Sequence, residues 1–271
     1  MTNDLMPTVF LPHGAGPCFF MPWQPADTWD STAHWLRELL PTLGIRPQAL
    51  LVISAHWEES VFTLNTQAEP DLLYDYYGFP PPTYELQWPA PGAPELAGQV
   101  AQLIEQAGFA TATEQQRGFD HGVFIPLKLV CPQADIPVLQ LSLRADMDAA
   151  AHIALGQALA PLREQGVLII GSGMSFHNIP LMRASLANST PAADAFDHWL
   201  AQVVQLPQHE RNQALQSWTQ APGARLAHPD AEHLLPLHVV AGAAGSDRGA
   251  TAFHTVAMGV PLAGFVFGTQ E

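Results

Sequence analysis

Short, unbroken apolar runs separated by helical patterns set the tightest limit on what this chain can fold into. Residues 8–11, 49–54, 138–143, 167–171 and 262–267 carry Val, Ile, Leu and Phe on successive positions rather than alternate ones. A strand wetted on one face alternates apolar with polar; a continuous run suits a strand covered on both faces, as in a parallel sheet between helices. Residues 61–66 and 251–257 are weaker strand candidates. Helical spacing falls between the runs, over 29–40, 94–107, 149–165, 191–206, 208–218 and 232–243. Gly108 and Gly166 stand where helices close, Pro191 takes a first-turn position behind Thr190, and Asp230 suits an N-cap for the last helix. Strands alternating with helices predict an α/β fold: a single domain over residues 1–271 with a mainly parallel central sheet flanked by helices.

Composition agrees with a buried sheet and narrows the function classes. Of 271 residues, 48% are hydrophobic and only 13% charged, so the chain can build a core. The charges are lopsided, 10 Lys+Arg against 25 Asp+Glu, for a net −15. That excludes a nucleic-acid binder and disfavours an anionic membrane surface as partner. No apolar stretch is long enough for a membrane span, and the first residues lack the basic and apolar regions of a signal peptide. Cys18 and Cys131 form no disulfide framework or metal motif, which points to a reducing, cytoplasmic setting. The proline-rich segment 78–94 also carries Phe79, Tyr84, Leu86 and Trp88, and so reads as a shaped loop rather than a linker.

Twelve histidines outnumber Lys and Arg together, and their positions matter more than their count. His13 follows the first apolar run, His56 ends the second, and His177 follows the Val-Leu-Ile-Ile-Gly run. Ligands of open parallel sheets bind outside the C-terminal strand ends, so chain order alone brings these three to one rim. His121 lies in Arg-Gly-Phe-Asp-His-Gly, a glycine-flanked polar island, and His233 in the first turn of the last predicted helix. A single histidine is more often structural than functional; five in such places argue for a site. The other seven, His34, His152, His198, His209, His228, His238 and His254, keep structural or surface roles. There is no His-Glu-x-x-His helix and no phosphate loop. Gly173-Met174-Ser175-Phe176-His177 narrowly misses a nucleophile elbow, which leaves a serine hydrolase as a minor alternative.

Eight motifs in chain order make the sequence resemble the class III extradiol ring-cleavage dioxygenase superfamily, and within it the 4,5-DOPA extradiol dioxygenase-like group. They are Pro12-His13-Gly14, Ser54-Ala55-His56-Trp57, Tyr77-Gly78-Phe79-Pro80, Pro89-Ala90-Pro91-Gly92, Gly118-Phe119-Asp120-His121-Gly122, Gln140-Leu141-Ser142, Gly171-Ser172-Gly173 with His177-Asn178, and Glu232-His233-Leu234-Leu235-Pro236-Leu237. The resemblance implies one divalent metal held by His13, His56 and His233. His177 would be the acid/base beside it, sometimes counted as a fourth ligand, and His121 a second histidine lining the pocket. Glu232 adjoins His233, so an exchange of ligand roles between them stays open. The first motif departs from the family pattern in reading Gly14-Ala15-Gly16-Pro17, without the usual hydroxyl.

The implied reaction is cleavage of a catechol ring by O2 to a muconic semialdehyde, with Fe(II) for turnover and Zn(II) possible on isolation. Three neutral ligands on one face leave metal positions open for substrate and O2. Tyr77, Phe79, Trp88 and Trp57 are candidates for an aromatic wall or for core packing, and Asp120 for orienting His121. Arg117, Lys128 and Arg183 are the cations near these motifs that a substrate carboxylate could use. The alternatives are a zinc hydrolase and a non-catalytic zinc-binding relative on the same scaffold. No oligomeric state is implied.

Overall fold

The computed structural model describes residues 5–184 and 189–268. Its strands are β1 (Thr8–Pro12), β2 (Ala49–Glu59), β3 (Phe62–Asn65), β4 (Thr111–Glu114), β5 (Val138–Arg144), β6 (Val167–Gly173), β7 (Gly249–Ala257) and β8 (Val260–Phe267). They form one sheet in the order β4-β3-β5-β2-β6-β1-β8-β7. The four central strands β5, β2, β6 and β1 are parallel. β8 joins antiparallel to β1 and β7 antiparallel to β8; β3 joins antiparallel to β5 and β4 parallel to β3. The result is the expected α/β architecture, a mostly parallel sheet flanked by helices.

The central strands are the runs read as covered on both faces, and they are. Along β2, Leu50 and Val52 point to one layer with Leu36 and Phe124, while Leu51 and Ile53 point to the other with Leu155 and Val239. The helices supplying these layers are α1 (Asp30–Leu43), α2 (Pro94–Gln106), α3 (His121–Val130), α4 (Ala149–Leu159) and α9 (Leu235–Ala243). Shorter or more peripheral helices are α5 (Ile179–Arg183), α6 (Pro191–Val203), α7 (Gln208–Gln216) and α8 (Ala224–Ala227). None of the described helices is long and apolar enough to cross a membrane.

The differences from the sequence reading have local causes. β4 is an edge strand of Thr-Ala-Thr-Glu, with no apolar run to announce it. α3 is buried at every position but Lys128, so it shows no amphipathic stripe. The last helix starts at Leu235, not behind Asp230, and residues 231–234 form a turn. Pro236 explains this: in the first turn it loses nothing, whereas four residues further in it would remove a helical hydrogen bond and strike a carbonyl. α1 runs on through Pro41 and closes at left-handed Gly44; α4 stops at Leu159 and continues as a tighter helix, Ala160–Gln165, closing at Gly166.

Three histidines read as structural are fully buried, His152, His228 and His238. His238 donates from Nε2 to the Leu215 carbonyl (2.9 Å) and His228 from Nε2 to that of Ser175 (3.0 Å). Burial pulls the His238 pKa down to about 4 and that of His228 to about 3. An unfolded chain binds these protons near pH 6.5, the native state only below the lowered values. Their contribution to stability is therefore whole above pH 6.5 and declines as the pH falls through that value. Between pH 7.5 and 5 each costs about 2 kcal/mol. In urea titrations, a His238→Leu variant should lose stability with acidification less steeply by about that amount; an unchanged slope would mean His238 is not buried neutral.

Candidate metal centre

The rim begins with strand register. Pro12 pairs with Gly173 and Ser54 with Ser172, so the pairing of β6 with β1 and with β2 ends in line. His13 follows directly, its N–H donating to the Gly173 carbonyl (3.1 Å). His56 does not end β2, as the sequence reading had it. The strand continues to Glu59 through a register break between Ile53 and Glu58, and His56 sits within that break; such irregularities re-aim side chains. His233 arrives on the turn before α9, its carbonyl accepting from Met174 N–H (3.0 Å). A Cβ on Gly173 would lie 2.2 Å from that carbonyl, so only glycine lets the turn close on the strand end.

His121 is not in a loop island but is the first residue of α3. That turn is pinned to the strand ends by Ser54 Oγ donating to Asp120 Oδ1 (2.7 Å) and Ser172 Oγ donating to the Gly122 carbonyl. Gly122 keeps the approach open, since a Cβ there would stand 2.5 Å from Ser54 Oγ and 3.0 Å from the His56 ring.

All five histidines singled out in the sequence converge. Ring centroids of His13, His56 and His233 are 4.8, 4.9 and 5.2 Å apart, nearly an equilateral triangle, with the Nε2 atoms of His13 and His56 at 3.2 Å. His121 lies 3.8 Å from the His56 ring, and His177 stacks on His233 at 3.3 Å. Two tight donor groups result, His13/His56/His121 and His177/Glu232/His233, each with its ligand atoms within 4.8 Å of one another.

Neighbours fix which nitrogens are free. His13 Nδ1 donates to the Gly14 carbonyl (2.9 Å) and His233 Nδ1 to Glu232 Oε1 (2.8 Å), leaving Nε2 of each as a lone pair. The His233 Nε2 atom is buried without a partner, an arrangement that a cation would satisfy. Burial, then the crowding of imidazoles, holds the pKa values of His13, His56 and His233 well below 6.5, so protons do not compete for these nitrogens at neutral pH. The donor set fits a divalent metal.

The carboxylates are distributed differently from expectation. His121 is oriented by Asp75, not Asp120: Asp75 Oδ1 accepts from its Nδ1 (2.8 Å) and its backbone N–H (2.9 Å), and Oδ2 lies 3.9 Å from His56 Nδ1. Burial opposes this charge, but the hydrogen bond and charge of His121 prevail and hold Asp75 below its ordinary pKa. Asp75 lay unremarked just ahead of the Tyr77-Gly78-Phe79 motif, in the run Tyr74-Asp75-Tyr76-Tyr77; its lone acid among aromatics was the available signal. Asp120 instead accepts from Ser54, Gln140 and Arg117, and Arg117 also donates to the His56 carbonyl (2.9 Å). Burial pushes the Asp120 pKa up. Glu232 is an acceptor, bridging His233 and, at 3.4 Å, His177 Nδ1.

The five histidines open onto a cleft of about 1280 Å³. Tyr77, 88% exposed, and Phe79 line it, joined by Tyr76, Trp23, Met174 and Met182, which the sequence reading missed. Trp57 and Trp88 do not. Trp57 lies under the Arg117 guanidinium, and Trp88 packs on Phe119 and donates to the Cys131 carbonyl. Arg183 lines the cleft; Arg117 and Lys128 do not. Ser175 is buried and its Oγ accepts from Ala263 N–H (2.8 Å), so the near-elbow is core structure and not a nucleophile. A second, smaller cleft reaches His56 and His233 past Glu58, Arg225, Asp230 and Glu232.

Comparison with known proteins places this geometry. Residues 7–267 match the family model described as the catalytic LigB subunit of aromatic ring-opening dioxygenase. The chain is 39% identical over 254 residues to a 4,5-DOPA dioxygenase extradiol of Beta vulgaris, covering 93% of this chain and 92% of that one. It is 33% identical over 244 residues to the protein of the same name in Escherichia coli K12, covering 90% and 87%. A dioxygenase of Hapsidospora irregularis is 36% identical over 284 residues, covering 98% and 87%. A crystal structure of an uncharacterized Escherichia coli K12 protein superposes with a TM-score of 0.79 at 29% identity, over 96% of this chain and 99% of that one.

The Gly173 contact gives a sharp test. Gly173→Ala should destabilise the fold by about 2 kcal/mol and loosen His233, so that metal is lost faster to a chelator. Gly98→Ala, where nothing lies within 4 Å of the added methyl, is the control and should do neither. Denaturation curves and metal content after chelator challenge read both effects; equal behaviour of the two variants would refute the role given to Gly173.

Proposed function

The chain belongs to the family of the catalytic LigB subunit of aromatic ring-opening dioxygenases, and we propose that this extradiol dioxygenase opens the ring of a catechol with O2 to give a muconic semialdehyde. The convergence of His13, His56, His121, His177 and His233 on one cleft carries the reading. His13, His56 and His233 hold one divalent metal through Nε2, their side chains neutral and the Nδ1 atoms of His13 and His233 already engaged. Bound there, Fe(II) supplies the redox chemistry and positive charge that O2 and a catechol require, and Zn(II) suits the same nitrogens on isolation.

The protein's own groups manage protons and orientation. His177 removes a proton from a catechol hydroxyl and later returns one, with its ring held by stacking on His233 and by Glu232 at Nδ1. His121 presents Nε2 to the substrate, fixed from behind by Asp75 at Nδ1. The apolar wall, which includes Phe79 and Met174, excludes water from the ring. Both cysteines are buried and unpaired, in keeping with a cytoplasmic enzyme.

The test is to load apo-protein anaerobically with Fe(II), add catechols, admit air and follow O2 consumption with the visible spectrum. Stoichiometric uptake with a new yellow chromophore is expected. No uptake by protein shown to hold one metal would overturn the reading in favour of a zinc hydrolase. His177→Ala should abolish turnover while metal content stays at that of the parent; loss of the metal would make His177 a fourth ligand instead.

A further inference from the structure

The charge inventory of the cleft singles out one residue. This chain carries −15 and repels anions on average. Among the described residues three side chains of permanent charge line the cleft: Asp27 and Asp30, which adjoin and begin α1, and Arg183, the last residue of α5. Arg183 is exposed, and among the described residues no carboxylate or carbonyl hydrogen-bonds it. A basic residue in a helix's last turn often serves the helix by binding its final carbonyls, but Arg183 makes no such bond. Nor does α5 need it for anchoring. Met182 is buried in the core, and Asn178 both accepts from Leu181 N–H (3.2 Å) and donates to the Leu226 carbonyl (2.8 Å). Other cations near the site are engaged: Arg117 with Asp120, and Arg225 over Trp218.

Residues 177–183 thus bring to the cleft lining the imidazole of His177, the apolar side chains of Ile179 and Met182, and a guanidinium without a partner among the described residues. In a partly helical run the two ends are separated by on the order of 10 Å. That is the reach of a catechol ring bearing an acidic group on a short arm. We propose that Arg183 is the specificity residue of the cleft and takes the carboxylate of an aryl carboxylic acid by a forked, charge-assisted hydrogen bond. The ring lies over Ile179 and Met182 with its hydroxyls toward His177, an orientation that rests on the ring-opening function proposed above. Beside Asp27 and Asp30 the same carboxylate is repelled, so one orientation is favoured.

Dihydrocaffeate and its uncharged amide, equal in shape, separate charge recognition from ring recognition. With the Fe(II)-loaded enzyme, the acid should show a KM about tenfold below that of the amide. Arg183→Gln should raise KM for the acid about tenfold, leave kcat nearly unchanged and leave the amide unaffected. Arg183→Lys should restore part of the difference, and added salt should diminish it. Equal shifts for acid and amide would overturn the proposal and make Arg183 a mere wall. Binding is read apart from turnover by quenching of tryptophan fluorescence, since Trp23 lines the cleft. A preference for the acid that Arg183→Gln abolishes supports the proposal even if no O2 is consumed, in which case only the ring-opening function fails. No preference in binding overturns it whatever the turnover.

Discussion

Everything at the rim depends on how β6 ends. Its last residue, Gly173, pairs with Pro12, accepts the His13 N–H through its carbonyl, and leaves room for the His233 carbonyl where a side chain would stand. Parallel register turns the sequence positions of His13 and His56 into neighbouring points, because β1 and β2 flank β6 and their pairing with it ends beside Gly173. The hydroxyls of Ser54 and Ser172, on adjacent strands, then tie the first turn of α3 to the same edge and deliver His121. A metal site on such a scaffold is rigid because backbone hydrogen bonds, not rotamers alone, set its donors.

Electrostatics explains why so many imidazoles tolerate one another. Five histidines in contact would repel strongly if charged, but burial keeps His13, His56 and His233 neutral. Among the described residues only two carboxylates touch the cluster, Asp75 and Glu232, and each accepts from Nδ1 atoms. This pattern turns nitrogens toward the centre as lone pairs, which a metal needs and a solvent-exposed histidine does not guarantee. The acidic character of the whole chain has a different consequence. Among the described residues it leaves Arg183 as the one permanently cationic side chain lining the cleft.

The parts legible in the sequence are those with short-range causes. Doubly covered strands read as continuous apolar runs, and His13, directly after the first run, appears at that strand's end. α3 was not legible, because a helix buried all round shows no periodicity, and its ten residues mix Gly, Pro and His with apolar side chains. Asp75 was missed for a related reason. Its partner His121 is 46 residues away in sequence, and nothing local marks a carboxylate as the one that will face an imidazole. Asp120, adjacent to His121, was the natural candidate, yet its side chain turns to Ser54, Gln140 and Arg117.

The sequence by itself determined the α/β class and the placing of three histidines, His13, His56 and His177, toward one rim of the sheet, since hydropathy pattern and chain order need no coordinates. Only the tertiary structure decided which carboxylate serves which imidazole, which aromatic side chains enter the cleft, and which of three nearby cations remains free. Those outcomes turn on distances of a few ångströms between residues far apart in the chain. Strand register and glycine-sized clearances set those distances, and one-dimensional spacing does not encode them.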